Sequence, residues 1–251
     1  MKKTILNLIR SCGYFSLYIL IQGILSLIFF TPICLSDKNT EDLFYYGMIS
    51  VYEKSNSRFE VILNSMPLMT EIFSGFLYYI TLLSGIILIL IYLIKNGSAK
   101  QIFSKKITLT RFIFLYGCGI GLNLITSATI NLLGMLFPII KSLSDSADSV
   151  VSGNFFIALF AVGIIGPITE EIVFRHGFIT SLEKINPLFA IIFSSVLFGL
   201  MHINPVQVVY AGILGLLFGI LYQKTKKLSI PILLHIGINS SSVILHALCY
   251  S

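Results

Sequence analysis

Residues 72–94 read IFSGFLYYITLLSGIILILIYLI, 23 residues without one charged side chain. A helix crossing the hydrocarbon core of a bilayer needs about 20 such residues, so this stretch specifies a transmembrane helix and with it the fold. Residues 13–34 (GYFSLYILIQGILSLIFFTPIC) repeat the pattern, and residues 112–140 supply a third run. Further apolar segments follow at 155–169, 188–203, 206–222 and 229–248. Across its 251 residues the chain is 56% hydrophobic and 11% charged, with a mean hydropathy of +0.92. A soluble domain carries roughly 25% charged residues. The expected fold is all-α, a polytopic transmembrane helical bundle of about seven spans. Six or eight remain open, because 112–140 is long and 188–203 is short for a crossing.

The charges outside the apolar runs give an orientation. Lys95, Lys100, Lys105, Lys106 and Arg111 follow the second run with no acid among them. Residues 36–71 instead hold Asp37, Glu41, Asp42, Glu53, Glu60 and Glu71 against Lys38, Lys54 and Arg58. Lysine and arginine collect on the cytoplasmic side, which puts the N-terminus (Lys2, Lys3, Arg10) inside, 36–71 outside, 95–111 inside and 141–154 outside. The net charge of +6 therefore reports topology and implies no nucleic-acid partner. The basic start MKKTILNLIR resembles a secretory signal, but the apolar run is too long and no small-residue cleavage site follows, so an uncleaved first helix is expected. Cys12, Cys34, Cys118 and Cys249 lack metal-like spacing and are expected as free, small apolar side chains.

Against this background residues 166–178, GPITEEIVFRHGF, are anomalous. Of eleven acids only Glu170 and Glu171 lie within an apolar helix, and of seventeen bases only Arg175 does. Each such charge costs about 2.5–3.5 kcal/mol at mid-membrane, so it normally faces a cavity or a partner. Glu171 and Arg175 stand at i, i+4 in the favourable order for an ion pair. Glu170 is turned by about 100° from Glu171 and lacks that partner. It is thus the candidate general base, with desolvation favouring proton uptake. A purely structural Glu–Arg lock between helices is the plainer alternative.

Three more polar positions recur in apolar helices. His202 follows Phe198 by four residues in FGLMH, and His235 and Asn239 share one helical face in HIGIN. Counting residues from the basic inside loops puts Glu170 and His202 at about 21 Å depth, Asn239 at about 18 Å and His235 at about 12 Å. One such histidine alone is more often an interhelical hydrogen-bonder. A carboxylate with an imidazole can deprotonate a water, and an imidazole with a carboxamide can stabilise an oxyanion. That set suits amide hydrolysis without a serine or cysteine nucleophile. Glu170, His202 and His235 could alternatively hold Zn²⁺, although no HExxH motif is present and asparagine is an unusual fourth ligand.

EEIVFR (Glu170, Glu171, Arg175), FGLMH (Phe198, His202) and HIGIN (His235, Asn239) resemble the EExxxR, FxxxH and HxxxN motifs of the CPBP family. That family groups CAAX prenyl endopeptidases with bacterial, Abi-like proteins linked to bacteriocin processing and immunity. The resemblance covers about 70 residues and implies a catalytic helical core at 155–251 behind N-terminal transmembrane helices at 1–154. It implies an intramembrane endopeptidase of a bacterial cell membrane, acting on a membrane-associated peptide or protein. Glu170 would be the base, His202 would help activate the water, and His235 with Asn239 would bind the oxyanion. Glu171, Arg175 and Phe198 would shape the site, and no metal cofactor would be essential. His176 and His246 match no motif position and are expected to be structural. A non-catalytic immunity or scaffold protein is the competing reading. A proton-coupled transporter is less favoured, since no inverted repeat or paired broken helices are apparent.

Overall fold

The computed structural model describes residues 13, 15–25, 78–94, 107–141, 155–202 and 204–250. Among these residues all regular structure is helical. Two shorter helices, α1 (Phe15–Leu25) and α2 (Tyr78–Ile94), come first. They are followed by α3 (Leu109–Leu136), α4 (Phe155–Leu182), α5 (Pro187–Leu200), α6 (Pro205–Thr225) and α7 (Ser229–Tyr250). Helices α3, α4, α6 and α7 are long and apolar enough to cross a membrane. The chain is an integral membrane protein with a helical-bundle fold. The N-terminal residues 2–10, the acidic segment 36–71 and most of the segments 95–111 and 141–154 lie outside the described residues, as do Cys12 and Cys34. Cys118 and Cys249 are free thiols.

Local chemistry accounts for the helix ends. Asn186 and Asn204 each precede a proline and cap the helix that follows. The Asn186 carboxamide oxygen accepts from the Phe189 amide at 2.9 Å, and that of Asn204 accepts from the Val206 and Gln207 amides at 3.0 and 3.2 Å. Asparagine is a preferred N-cap, and proline at the first helical position sacrifices no hydrogen bond. The apolar segment 188–203 ends as a helix at Leu200, so α5 has 14 residues. At 1.5 Å per residue it spans only about 21 Å, less than a bilayer core. Met201 and His202 form the closing turn, and His202 thus sits at a helix end rather than within a helix. Lys226 ends α6 in the left-handed region (φ 52°) and pairs with Glu183 across the α4–α5 turn.

Helix α4 forms the axis of the bundle. Glu171 through Arg175 and Gly177 through Ile179 are all buried, a helix covered on every side. Phe15 and Tyr18 of α1, Leu88 and Tyr92 of α2, Phe198 of α5 and Ile232 of α7 share its core. Helices α3 and α7 approach closely at a pair of glycines. A Cβ on Gly237 would lie 2.5 Å from the Tyr116 carbonyl oxygen, and one on Gly119 would collide with the Leu234 carbonyl. Small residues permit such approach between membrane helices, and here the approach sets where α7 carries His235 and Asn239.

Candidate active site

Helix α4 is not regular around the glutamates. Residues Leu159–Ile165 and Ile172–Ile179 take the wider π register, in which N–H groups bond five residues back, on either side of an α-helical turn, Gly166–Glu171. Such widened turns are rare and frequently mark functional sites. The Gly166 amide bonds the Ala161 carbonyl in this register. The next bond would run from residue 167 to Val162, but Pro167 has no N–H. The Asn239 side chain fills the gap, its Nδ2 donating to the Val162 carbonyl at 3.1 Å. One proline in α4 thereby creates the acceptor that anchors a polar side chain of α7.

The charged residues pair with one another. Arg175 Nε lies 2.9 Å from Glu171 Oε2, an ion pair with both side chains fully buried, although the N–H is not aimed along the contact. Arg175 Nη2 donates to Glu171 Oε1 at 3.5 Å, and Nη1 donates to Ser194 Oγ at 3.2 Å. Ser194 in turn donates to the Phe174 carbonyl at 2.8 Å. The guanidinium also lies against the Phe198 and Phe218 rings, 4.9 and 5.7 Å from their centroids, a favourable setting for a desolvated cation. The expected Glu171–Arg175 pair is thus present, held by α5 and α6 as well.

His235 reaches both glutamates. Its Nδ1 is 3.1 Å from Glu171 Oε1, and its Nε2 is 3.7 Å from Glu170 Oε2. An ionised carboxylate only accepts, so Nδ1 carries the hydrogen there. In the neutral ring Nε2 is then a lone pair facing Glu170, another acceptor. Two facing acceptors call for a proton from the ring, the carboxyl or a water that touches both. Glu170 Oε2 is buried without a hydrogen-bond partner among the described residues. Glu170 lacks the arginine, as its helical position implied. It is not isolated, however, because α7 brings the imidazole to it.

His202 lies farther out. Its Nδ1 faces the Phe198 carbonyl at 2.9 Å, which makes Nδ1 the donor and leaves Nε2 as an acceptor. The Phe198 ring stands between the two histidines, 5.2 Å from the His202 ring and 5.7 Å from that of His235. His176 packs instead on Tyr92 of α2 at 4.9 Å. Tyr18 is one side chain near the site that the motif pattern passed over. It is buried in α1, bonded to Gln22 one turn on, and within electrostatic reach of Glu170. Its only sequence signal was a polar pair at i, i+4 in an otherwise apolar first helix. Among the described residues no three His, Cys, Asp or Glu side chains are arranged to hold a metal ion.

Residues 152–241 match the family described as type II CAAX prenyl endopeptidase, Rce1-like. The chain is 40% identical over 83 residues to YdiL of Bacillus subtilis (strain 168), named as a candidate membrane peptidase, covering 33% of this chain and 34% of that protein. It is 36% identical over 107 residues to the membrane-embedded CAAX protease MroQ of Staphylococcus aureus (strain USA300), covering 39% of this chain and 43% of that protein. The matches thus span under half the length of either curated relative. No solved structure matches. The matched segment contains α4 to α6 and the part of α7 that carries His235 and Asn239. Residues 152–241, the segment that carries Glu170, His202, His235 and Asn239, are thus similar to the Rce1-like type II CAAX prenyl endopeptidase family.

Proposed function

We propose that the chain is an intramembrane endopeptidase that cleaves a membrane-associated peptide or protein with a water activated by Glu170. The observation that carries this reading is the unpartnered, buried Oε2 of Glu170, 3.7 Å from His235 Nε2. A buried acceptor without a donor is costly unless a ligand or water supplies one. In the proposed step Glu170 takes a proton from the water as its oxygen bonds to the scissile carbonyl carbon. The carbonyl electrons move onto the oxygen, where the Asn239 carboxamide supplies an N–H. The carbon–nitrogen bond then breaks as the amine nitrogen takes up the proton held by Glu170. His235, expected at the oxyanion, instead shares that proton in this reading, because its Nε2 faces Glu170, and the acceptor Nε2 of His202 orients the water. Glu171 and Arg175 hold His235 in its tautomer, and Phe198 spaces the two rings. Residues 155–251 form the catalytic unit, and the basic residues at 2–10 and 95–111 place the N-terminus in the cytoplasm.

The test compares the membrane peptidome of cells carrying the wild-type chain with that of cells carrying Glu170→Gln. Glutamine keeps the shape and removes the base, so the peptides released by the wild type should fall by about 10²- to 10⁴-fold, the usual contribution of a general base. Equal peptidomes at equal membrane insertion would leave an immunity or scaffold role instead. We further propose that no metal takes part, and cleavage by the purified protein should persist in strong chelators. Loss on chelation with restoration by zinc alone would overturn that mechanism.

A further inference from the structure

A second polar feature lies one turn along α7 from the proposed site. The segment NLITSATIN (residues 123–131) interrupts the apolar run of α3 with polar residues, of which all but Thr129, those at 123, 126, 127 and 131, line one cavity. This is helical spacing, so they form one stripe. The stripe faces the N-terminal turns of α6 and the middle of α7 across a cavity of about 210 Å³. Five carboxamides converge on it, from Asn123, Asn131, Asn204, Gln207 and Asn239, and among the described residues no charged side chain lines it. At about 30 Å³ per liquid water the space would take about seven waters, far more than one structural water needs.

We infer that this cavity is the substrate subsite, and that it takes the uncharged main chain of an extended peptide. Each carboxamide offers two donors and an acceptor oxygen, the complement of peptide N–H and C=O groups and a poor match for a carboxylate, phosphate or ammonium. Three of them are held in place. Asn123 donates to Ser241 Oγ at 3.0 Å, Asn239 donates to the Val162 carbonyl at 3.1 Å, and Asn204 accepts from the start of α6. Side chains oriented in advance lose little entropy when a ligand arrives. The assignment of a peptide rests on the endopeptidase reading, because Asn239 belongs to both places and sits one helical turn, about 6 Å, from His235.

The test uses the full chain as Glu170→Gln in lipid nanodiscs, so that no probe is turned over. The probes are fluorescent eight-residue peptides of Gly, Ser, Ala and Gln, the same peptides with N-methylated central amides, and versions with central Asp or Lys. Uncharged, unmethylated peptides should bind best. Asn131→Leu and Gln207→Leu should each weaken them about two- to tenfold. Gln207→Glu should shift the preference toward the Lys peptide, a gain that misfolding cannot imitate. Equal binding of methylated or Asp peptides, or no shift with Gln207→Glu, overturns the subsite. These outcomes are independent of the peptidome comparison, since selective binding without release would sink only the endopeptidase reading.

Discussion

The molecule keeps polarity in two regions by opposite means. Around α4 the polar groups are charged and pair with one another inside the bundle. Glu171, Arg175, Ser194 and His235 form a closed set, with both members of the ion pair fully buried. Beside α3 the polar groups are uncharged and remain on an open cavity. Of the 28 residues of α3 only Gly119, Asn123 and Gly134 are buried among the described contacts. The difference follows from desolvation. A lone charge in an apolar medium is far more costly than a lone amide, so charge is retained only where an opposite charge is built in. An amide can wait for a ligand. Glu170, with one buried oxygen unpartnered, joins the two regimes.

Breaking the closed set should have the largest effect on folding. Arg175→Met leaves Glu171 buried without its cation and should destabilise by about 3–5 kcal/mol, read as thermal unfolding in detergent. Adding Glu171→Gln to that variant should recover much of the loss. If the double variant were no better than the single one, packing of the guanidinium on Phe198 and Phe218 would be the dominant contribution instead.

Gly237→Val tests whether the α3–α7 approach sets the geometry of both regions. The added methyls meet the Tyr116 backbone, and overpacking of this kind costs about 1–3 kcal/mol. Since α7 carries His235 and Asn239, peptide release should fall along with stability. Unchanged release with lowered stability would uncouple the glycine contact from the site. The smallest effect on stability is expected for Pro167→Ala, within about 1 kcal/mol. It restores an N–H that competes with Asn239 for the Val162 carbonyl, so cleavage should fall about as far as it does in Asn239→Ala. Full activity of Pro167→Ala would show that the anchor is dispensable.

Much of this was legible in the chain, but unevenly. The bundle followed from uncharged runs of bilayer length, and the Glu171–Arg175 pair from their i, i+4 spacing. Depth counting brought His202, His235 and Asn239 toward Glu170 from two other segments, yet could not say which carboxylate an imidazole would face. The end of α5 at Leu200 was hidden because Met201 and Ile203 continue the apolar pattern of the sequence beyond it. The stripe at Asn123, Thr126, Ser127 and Asn131 was visible as spacing, but with no motif it carried no meaning until α6 and α7 closed the cavity around it.

What the amino-acid sequence determined by itself is what short-range geometry and solvent transfer control: membrane helices and the pairing of two charges one turn apart. Only the tertiary structure decided the π register of α4, the placing of His235 between two glutamates, and the capture of the Val162 carbonyl by Asn239. Those features depend on how helices rotate and approach at contacts such as Gly119 and Gly237. Side chains more than a hundred residues apart set that approach together, and no local pattern records it.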